Sequence, residues 1–310
     1  MMNTSTDAHR NVLRYDQLER EAASDRPFLL PLVTRVGNEA DLQDRVLELA
    51  SRATWLVAQH LPMTVSDPVS WAEQSNGQCT FSDLVYATIT TYLHQGFRAM
   101  KLRFGYGPRE GPAGMRRNVA LVRTVREVIG DDVDLMADAY MGWDVAYCTR
   151  ILPLLEPYRL RWIEEPVIPD DLEGYARVKE LANSRGILIS GGEHEYTRYG
   201  FRLLLEHHAA DIWQPDITWC GGLSELRHIG ALAAAYNIPV IPHAGWQHGA
   251  AHFILATPNS PWCEMFMPPP GGPPEVYRQF EEDNSITRGP EGIYMRPPDR
   301  PGFGWELLVD

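Results

Sequence analysis

The chain is poor in the features that tie a protein to a membrane, a nucleic acid or an oxidising compartment. Its four cysteines, Cys79, Cys148, Cys220 and Cys263, are scattered with no CxxC pair, so reduced thiols are expected rather than a zinc knuckle or a disulfide framework. No run approaches the roughly 18 apolar residues of a membrane span, and the polar start MMNTSTDAHR lacks the apolar core of a secretion signal. Basic residues are in deficit too. The 28 Lys and Arg stand against 41 Asp and Glu, a net charge of −13, which opposes binding to nucleic acid or an anionic membrane. A cytoplasmic enzyme acting on a small molecule is the expected class, and an anionic substrate would need a local cation.

The 310 residues are 44% hydrophobic, ample for one large decorated barrel or two ordinary domains. Residues 1–60 hold a helix-prone stretch, DLQDRVLELASRATWLVAQHL, but no strong motif. From about Leu61 apolar strand-like runs alternate with amphipathic helix-length stretches. Candidate strands are LPMTVSD, FRAMKLR (97–103), VDLMAD (133–138), LRWIE (160–164), ILISGGE (187–193), DIWQPD (211–216), IPVIPH (238–243) and PWCEMF (261–266). A helix capped by Ser82 lies over FSDLVYATITTYLHQGF and another ends near residue 130, with more near 144–156, 170–184, 198–208, 222–236 and 248–256. Eight strands in such alternation fit an α/β, TIM-like (β/α) barrel better than a sandwich or helical bundle. The Pro- and Gly-rich end, closing on PGFGWELLVD, is expected to wrap the barrel.

Three successive strands end in acid: Asp138, Glu164 and Glu193, spaced 26 and 29 residues apart, one β/α repeat per carboxylate. In a barrel such positions converge on the face that carries active sites. One acid at a strand end is often a helix cap or a solvated group; three in succession point to a hard-cation site, most simply for Mg²⁺. Asp144 offers a separate cap for the helix after Asp138. Glu165 follows Glu164 directly, and the pattern leaves open which faces the axis. The next strands end in Asp216 and His243, where a carboxylate can fix an imidazole tautomer and raise its basicity for general-base work.

The motifs MADAYMGWD, WIEEP, SGGEHE, WQPDITWCGGLSE and IPVIPHAG, in that order and with the PGFGWEL ending, resemble the mandelate racemase-like branch of the enolase superfamily. The resemblance is greatest to its sugar-acid dehydratases of the L-rhamnonate dehydratase type. It implies a (β/α)7β barrel over 61–267 and a C-terminal extension over 268–310; members of the family normally begin with a longer α+β capping domain, and here a short amino-terminal region (1–60) stands in its place as a remnant of one. It also implies Asp138, Glu164 and Glu193 as Mg²⁺ ligands, Asp216 and His243 as the catalytic dyad, and Glu264 as the group hydrogen-bonding the developing enediolate oxygen. The implied reaction removes the proton at C2 of an acid sugar and expels the C3 hydroxyl, giving a 2-keto-3-deoxy acid. A homo-oligomer is the expected assembly.

Where many members carry KxK, this chain reads KLR. Arg103 is too basic to serve as an opposite-face base and would orient a carboxylate. Lys101 is either a catalytic cation beside the metal site or half of a barrel-interior ion pair with Glu164 or Glu165. His194, Tyr140 and Trp246 are candidate substrate contacts, and Trp143 and Trp219 either wall the same pocket or pack under loops. His248 and His252 share metal-like spacing but lack an HExxH context. The alternatives are an epimerase, racemase or cycloisomerase of the same superfamily, and a truncated non-catalytic barrel.

Overall fold

A computed structural model describes residues 96–244, 247–265 and 301–303, strands Ser285–Gly289 and Gly292–Arg296, and Ile89, Tyr92 and Leu93. All lie in the compact unit Leu49–Asp310. The helix expected over 41–61, the first strand, Ser82 and Trp246 fall outside the described residues.

Strands β1 (Ala99–Arg103), β2 (Asp134–Asp138), β3 (Trp162–Glu164), β4 (Leu188–Gly191) and β5 (Ile212–Trp213) form a parallel sheet in chain order. Helices α1 (Gly111–Ile129), α2 (Val145–Leu155), α3 (Leu172–Asn183), α4 (Thr197–Glu206), α5 (Gly222–Ala235) and α6 (Gln247–Leu255) alternate with them, each within a few residues of its expected place. Parallel bridges Trp213↔Val240 and Asp216↔His243 carry the sheet on through residues 240–243. The strands expected over 211–216 and 238–243 shrink to a short ladder and bridges because Pro215, Pro239 and Pro242 have no N–H to give. Residues 261–265 run beside them without strand hydrogen bonding.

Local chemistry sets the helix ends. Asp144 accepts from Tyr147 N at 2.7 Å and Asp171 from Gly174 N at 2.9 Å, capping α2 and α3. Met115, Val122, Val125 and Ile129 form the buried stripe of α1. Together with Leu135, Ile163, Ile189, Trp213 and Val240 they make the core between sheet and helices. Burying each large aliphatic there contributes about 1.5–3 kcal/mol before conformational entropy is counted.

A second core shows that the sheet curls. Met136, Trp162, Ile212 and Ile241 pack together, with Ala99 and Trp262 against them, although in a flat sheet β1 and the chain beyond residue 243 would lie well over 20 Å apart at about 5 Å per strand. Trp162 meets Trp262 at 5.5 Å between ring centroids, and Lys101 on β1 reaches Glu264. The strands are thus those of an α/β barrel. The antiparallel pair β6 (Ser285–Gly289) and β7 (Gly292–Arg296) lies in the C-terminal stretch, and Phe303 rests on His252 of α6 at 5.6 Å. Among the described residues no helix is long and apolar enough to cross a membrane, and Cys148 and Cys220 are buried free thiols.

Candidate active site

Side chains two apart along a strand share a face, so the inward layer Ala99, Met136, Trp162, Ile212 and Ile241 predicts the layer above it. That layer is Lys101, Asp138, Glu164, Gln214 and His243, with Arg103 one step higher. Each strand changes from apolar to polar in two residues, at the end where the parallel strands finish. The same rule separates the adjacent glutamates. Glu164 shares a face with Trp162 and sits opposite Asp138 and Ser190 in register, while the chain turns at Glu165, whose φ is 39°.

Glu164 and Glu165 are both buried but differ in partners. Glu164 Oε2 accepts from Lys101 Nζ and from Gln214 Nε2 at 2.9 Å. Glu165 instead holds His194, whose Nδ1 lies 2.8 and 2.9 Å from its two oxygens. Lys101 spans Glu164 and Glu264, so the barrel-interior ion pair expected with Glu164 is formed and extends to Glu264. Burial opposes its charge, but Glu164, Glu264 and Asp138 outweigh that and raise its pKa. Arg103 Nη2 donates to Asp138 Oδ2 at 2.6 Å, and its guanidinium lies 4.2 Å from the centre of the Tyr140 ring.

Asp216 and His243 lie in hydrogen-bond contact. His243 Nδ1 is 2.8 Å from Asp216 Oδ2, and Asp216 Oδ1 accepts from Thr218 N at 2.6 Å and Thr218 Oγ1 at 2.5 Å. Burial opposes ionisation of Asp216, but the His243 and Thr218 hydrogen bonds leave its pKa below the usual value. For His243 burial again opposes charge, and the Asp216 hydrogen bond with the charges of Glu193 and Glu264 pushes the pKa up to about 9. Its Nε2 lies 3.2 Å from Glu193 Oε2.

Six carboxylates thus crowd one end of the sheet: Glu164, Glu264 and Asp138 on the fixed cations Lys101 and Arg103, and Glu165, Glu193 and Asp216 on His194 and His243. Burial first, then the mutual repulsion of these acids, raises Glu193 to about 9 and Glu165 to about 8; burial and Glu164 raise Asp138 as well. Glu164 Oε1 is buried without a hydrogen-bond donor, and Glu193 Oε2 faces His243 Nε2 at 3.2 Å without a well-directed hydrogen bond, a costly state for a buried carboxylate oxygen. A hard divalent cation with oxygen ligands fits this donor set. The described residues whose donor atoms all lie within 4.8 Å of one another are Glu165, Glu193 and His194. Asp138 and Glu164 are turned onto Arg103 and Lys101.

A cavity of about 270 Å³ opens over these groups. It is lined by Arg103, Glu193, His194, Asp216 and His243 and by two aromatic rings, Tyr140 and Trp219. Trp143 instead packs on Phe104 at 4.6 Å and donates to Tyr106 O at 2.9 Å, a loop support. Sequence reasoning passed over Gln214: a neutral amide in WQPD carries no charge signal, although its place two residues beyond inward-facing Ile212 marks it.

Residues 85–310 match the model of the enolase C-terminal domain-like family. An L-rhamnonate dehydratase of Saccharopolyspora erythraea is 42% identical over 212 residues, 68% of this chain and 54% of that protein, so the chain spans about half the length of that relative. A racemase of Streptomyces coelicolor A3(2) with bound magnesium superposes with a TM-score of 0.62 at 31% identity, over 73% of this chain and 57% of its own. The 3,6-anhydro-D-galactonate cycloisomerase of Zobellia galactanivorans does so with a TM-score of 0.63 at 28% identity, over 74% and 61%. The inward acids on successive strands and the match over most of the chain agree, and the chain belongs to the enolase superfamily, within its enolase C-terminal domain-like family.

Proposed function

We propose that the protein is a Mg²⁺-dependent sugar-acid dehydratase, removing the proton at C2 of an aldonic or aldaric acid and eliminating the C3 hydroxyl to give a 2-keto-3-deoxy acid. The observation that carries this is the single oriented base. His243 Nδ1 faces Asp216, so in the neutral imidazole its proton sits there and Nε2 points its lone pair toward Glu193 and the cavity. Likeness to an L-rhamnonate dehydratase supports the same reading.

Asp138, Glu164 and Glu193 would hold the cation, with Glu165 and His194 beside them. Bound there, a divalent cation supplies Lewis-acid stabilisation of charge on the substrate carboxylate. The remaining work falls to the chain. His243 takes the C2 proton at Nε2, while Asp216 stabilises the imidazolium so formed. The same imidazolium then gives its proton to the departing C3 oxygen.

Glu264 accepts at both oxygens, from Lys101 Nζ and from Ala244 N at 3.0 Å, and so offers no proton to a developing oxyanion. Lys101 does, and the hydrogen-bonding role expected of Glu264 passes to Lys101, with Glu264 holding it in place. A racemase needs a second base on the opposite face. Lys101 is locked between two carboxylates as a cation, and Arg103 is bound to Asp138, which favours elimination over racemisation.

The test is a panel of aldonic and aldaric acids, beginning with L-rhamnonate, incubated with Mg²⁺ and assayed for 2-keto-3-deoxy products. A product in at least one member is expected. Silence across the panel, or C2 epimers without keto product, would overturn the reading.

A further inference from the structure

The proposed chemistry uses neither aromatic ring at the cavity: Tyr140 lies against the Arg103 guanidinium, and the other ring is Trp219. It is 49% exposed, high for a tryptophan beside a catalytic dyad. The turn that carries it is anchored on the dyad. Trp219 N and Cys220 N donate to Asp216 O at 3.1 and 2.8 Å, while Thr218 occupies Asp216 Oδ1. One residue therefore orients His243 through its side chain and Trp219 through its backbone.

The turn is pinned from behind as well. Thr197 N donates to Cys220 O at 3.0 Å, and Arg198 forks onto Glu225, tying the start of α4 to α5. Tyr196 stacks on the indole at 15° and 6.1 Å, and His194 meets it edge-on at 5.5 Å. No hydrogen bond to the indole N–H occurs among the described residues. A ring backed on one face, held rigidly and bordering the cavity is built to receive a flat apolar surface, with a donor at its edge.

We propose that Trp219 is a specificity-determining residue: a platform for the C–H face of the polyol tail, the carbons beyond C3, of a sugar acid whose carboxylate, C2 and C3 lie at the metal ligands and His243. The proposal rests on the dehydratase reading for the placement of C2 and C3. Binding at a remote tail lets the site select six-carbon acids over three-carbon ones that share the same reacting atoms. Truncating a well-packed tryptophan contact typically costs about five- to thirtyfold in affinity.

The test compares affinities for L-rhamnonate and glycerate, measured calorimetrically with Mg²⁺ present, in the parent, Trp219→Ala and Trp219→Phe. The parent's preference for the six-carbon acid should fall about tenfold in Trp219→Ala and be largely kept in Trp219→Phe. If both acids weaken by the same factor, the ring is only structural and the proposal fails; it fails equally if the preference does not move. Should Trp219→Ala not fold by circular dichroism, Trp219→Leu carries the same comparison. Keto-acid product is assayed in the same samples. Selective binding without turnover would sink the dehydratase reading and leave the platform standing, whereas turnover with an unmoved preference would do the reverse.

Discussion

His243 and Asp216 face each other across a parallel bridge, with Nδ1 and Oδ2 2.8 Å apart. The carboxylate therefore decides both which ring nitrogen carries the proton and how tightly that proton is held.

A pH profile follows from this pair. The base must be neutral to act, and its pKa is raised to about 9, so turnover should climb with pH through an acidic limb. Asp216→Asn replaces the charged acceptor that raises it with a neutral amide, so the limb should move to lower pH while the maximal rate falls by about 10²-fold or more, as when an orienting group is lost. Rate measurements from about pH 5.5 to 9.5 check this; a limb that stays in place in the variant contradicts it.

Stability should fall with pH in the metal-free protein. Folded-state pKa values raised to about 8 for Glu165 and about 9 for Glu193 and His243 mean stability that is full below the ordinary values and lost as pH rises through the folded ones. Mg²⁺ competes with protons for the same carboxylates. Thermal melts should thus show a falling Tm between about pH 5 and 9, and a rise on adding Mg²⁺ that is larger at about pH 8.5 than at 5.5. Equal rises at both would argue against a carboxylate site.

Lys101→Met should be among the most damaging substitutions for stability without added cation. It leaves Glu164 and Glu264 without the cation they share, a change of about 3–5 kcal/mol for a broken buried pair. The Arg103 side chain is 50% exposed, so Arg103→Met should cost no more than about 1 kcal/mol. Urea titrations of the two variants separate them, and similar midpoints would contradict the network described.

The adjacent glutamates should separate by function. Glu164→Gln removes the negative charge and one of the two inward oxygens from the cation site and should abolish the Mg²⁺-induced rise in Tm. Glu165→Gln keeps a hydrogen-bond acceptor for His194 and should retain a reduced rise. Losing the response equally in both would mean that strand alternation has assigned the ligand wrongly.

Much of this site was legible because strands have a period of two and parallel strands finish together. Asp138, Glu164, Glu193, Asp216 and His243 stand at the ends of apolar runs, and convergence follows from geometry. Where two acids are adjacent, as at 164 and 165, the run alone could not choose, and register with Trp162 does. Gln214 escaped notice because it is uncharged, and the Lys101–Glu264 pair because it joins β1 to residues over 160 positions away, a contact made only when the sheet curls. Of the strand expected at 261–266, the described residues 261–265 lack a ladder although Trp262 and Glu264 still meet Trp162 and Lys101. Prolines shortened two other strands by removing donors, without moving His243 from its place opposite Asp216.

The central claim is that His243 removes the C2 proton of a sugar acid on the way to a keto acid. The most direct test follows L-rhamnonate with Mg²⁺ in D₂O by NMR, comparing the parent with His243→Asn. The account predicts Mg²⁺-dependent 2-keto-3-deoxy product in the parent, and a loss of at least about 10²-fold in both product and C2 exchange in the variant. Product formation that persists in His243→Asn at the parental rate would contradict it.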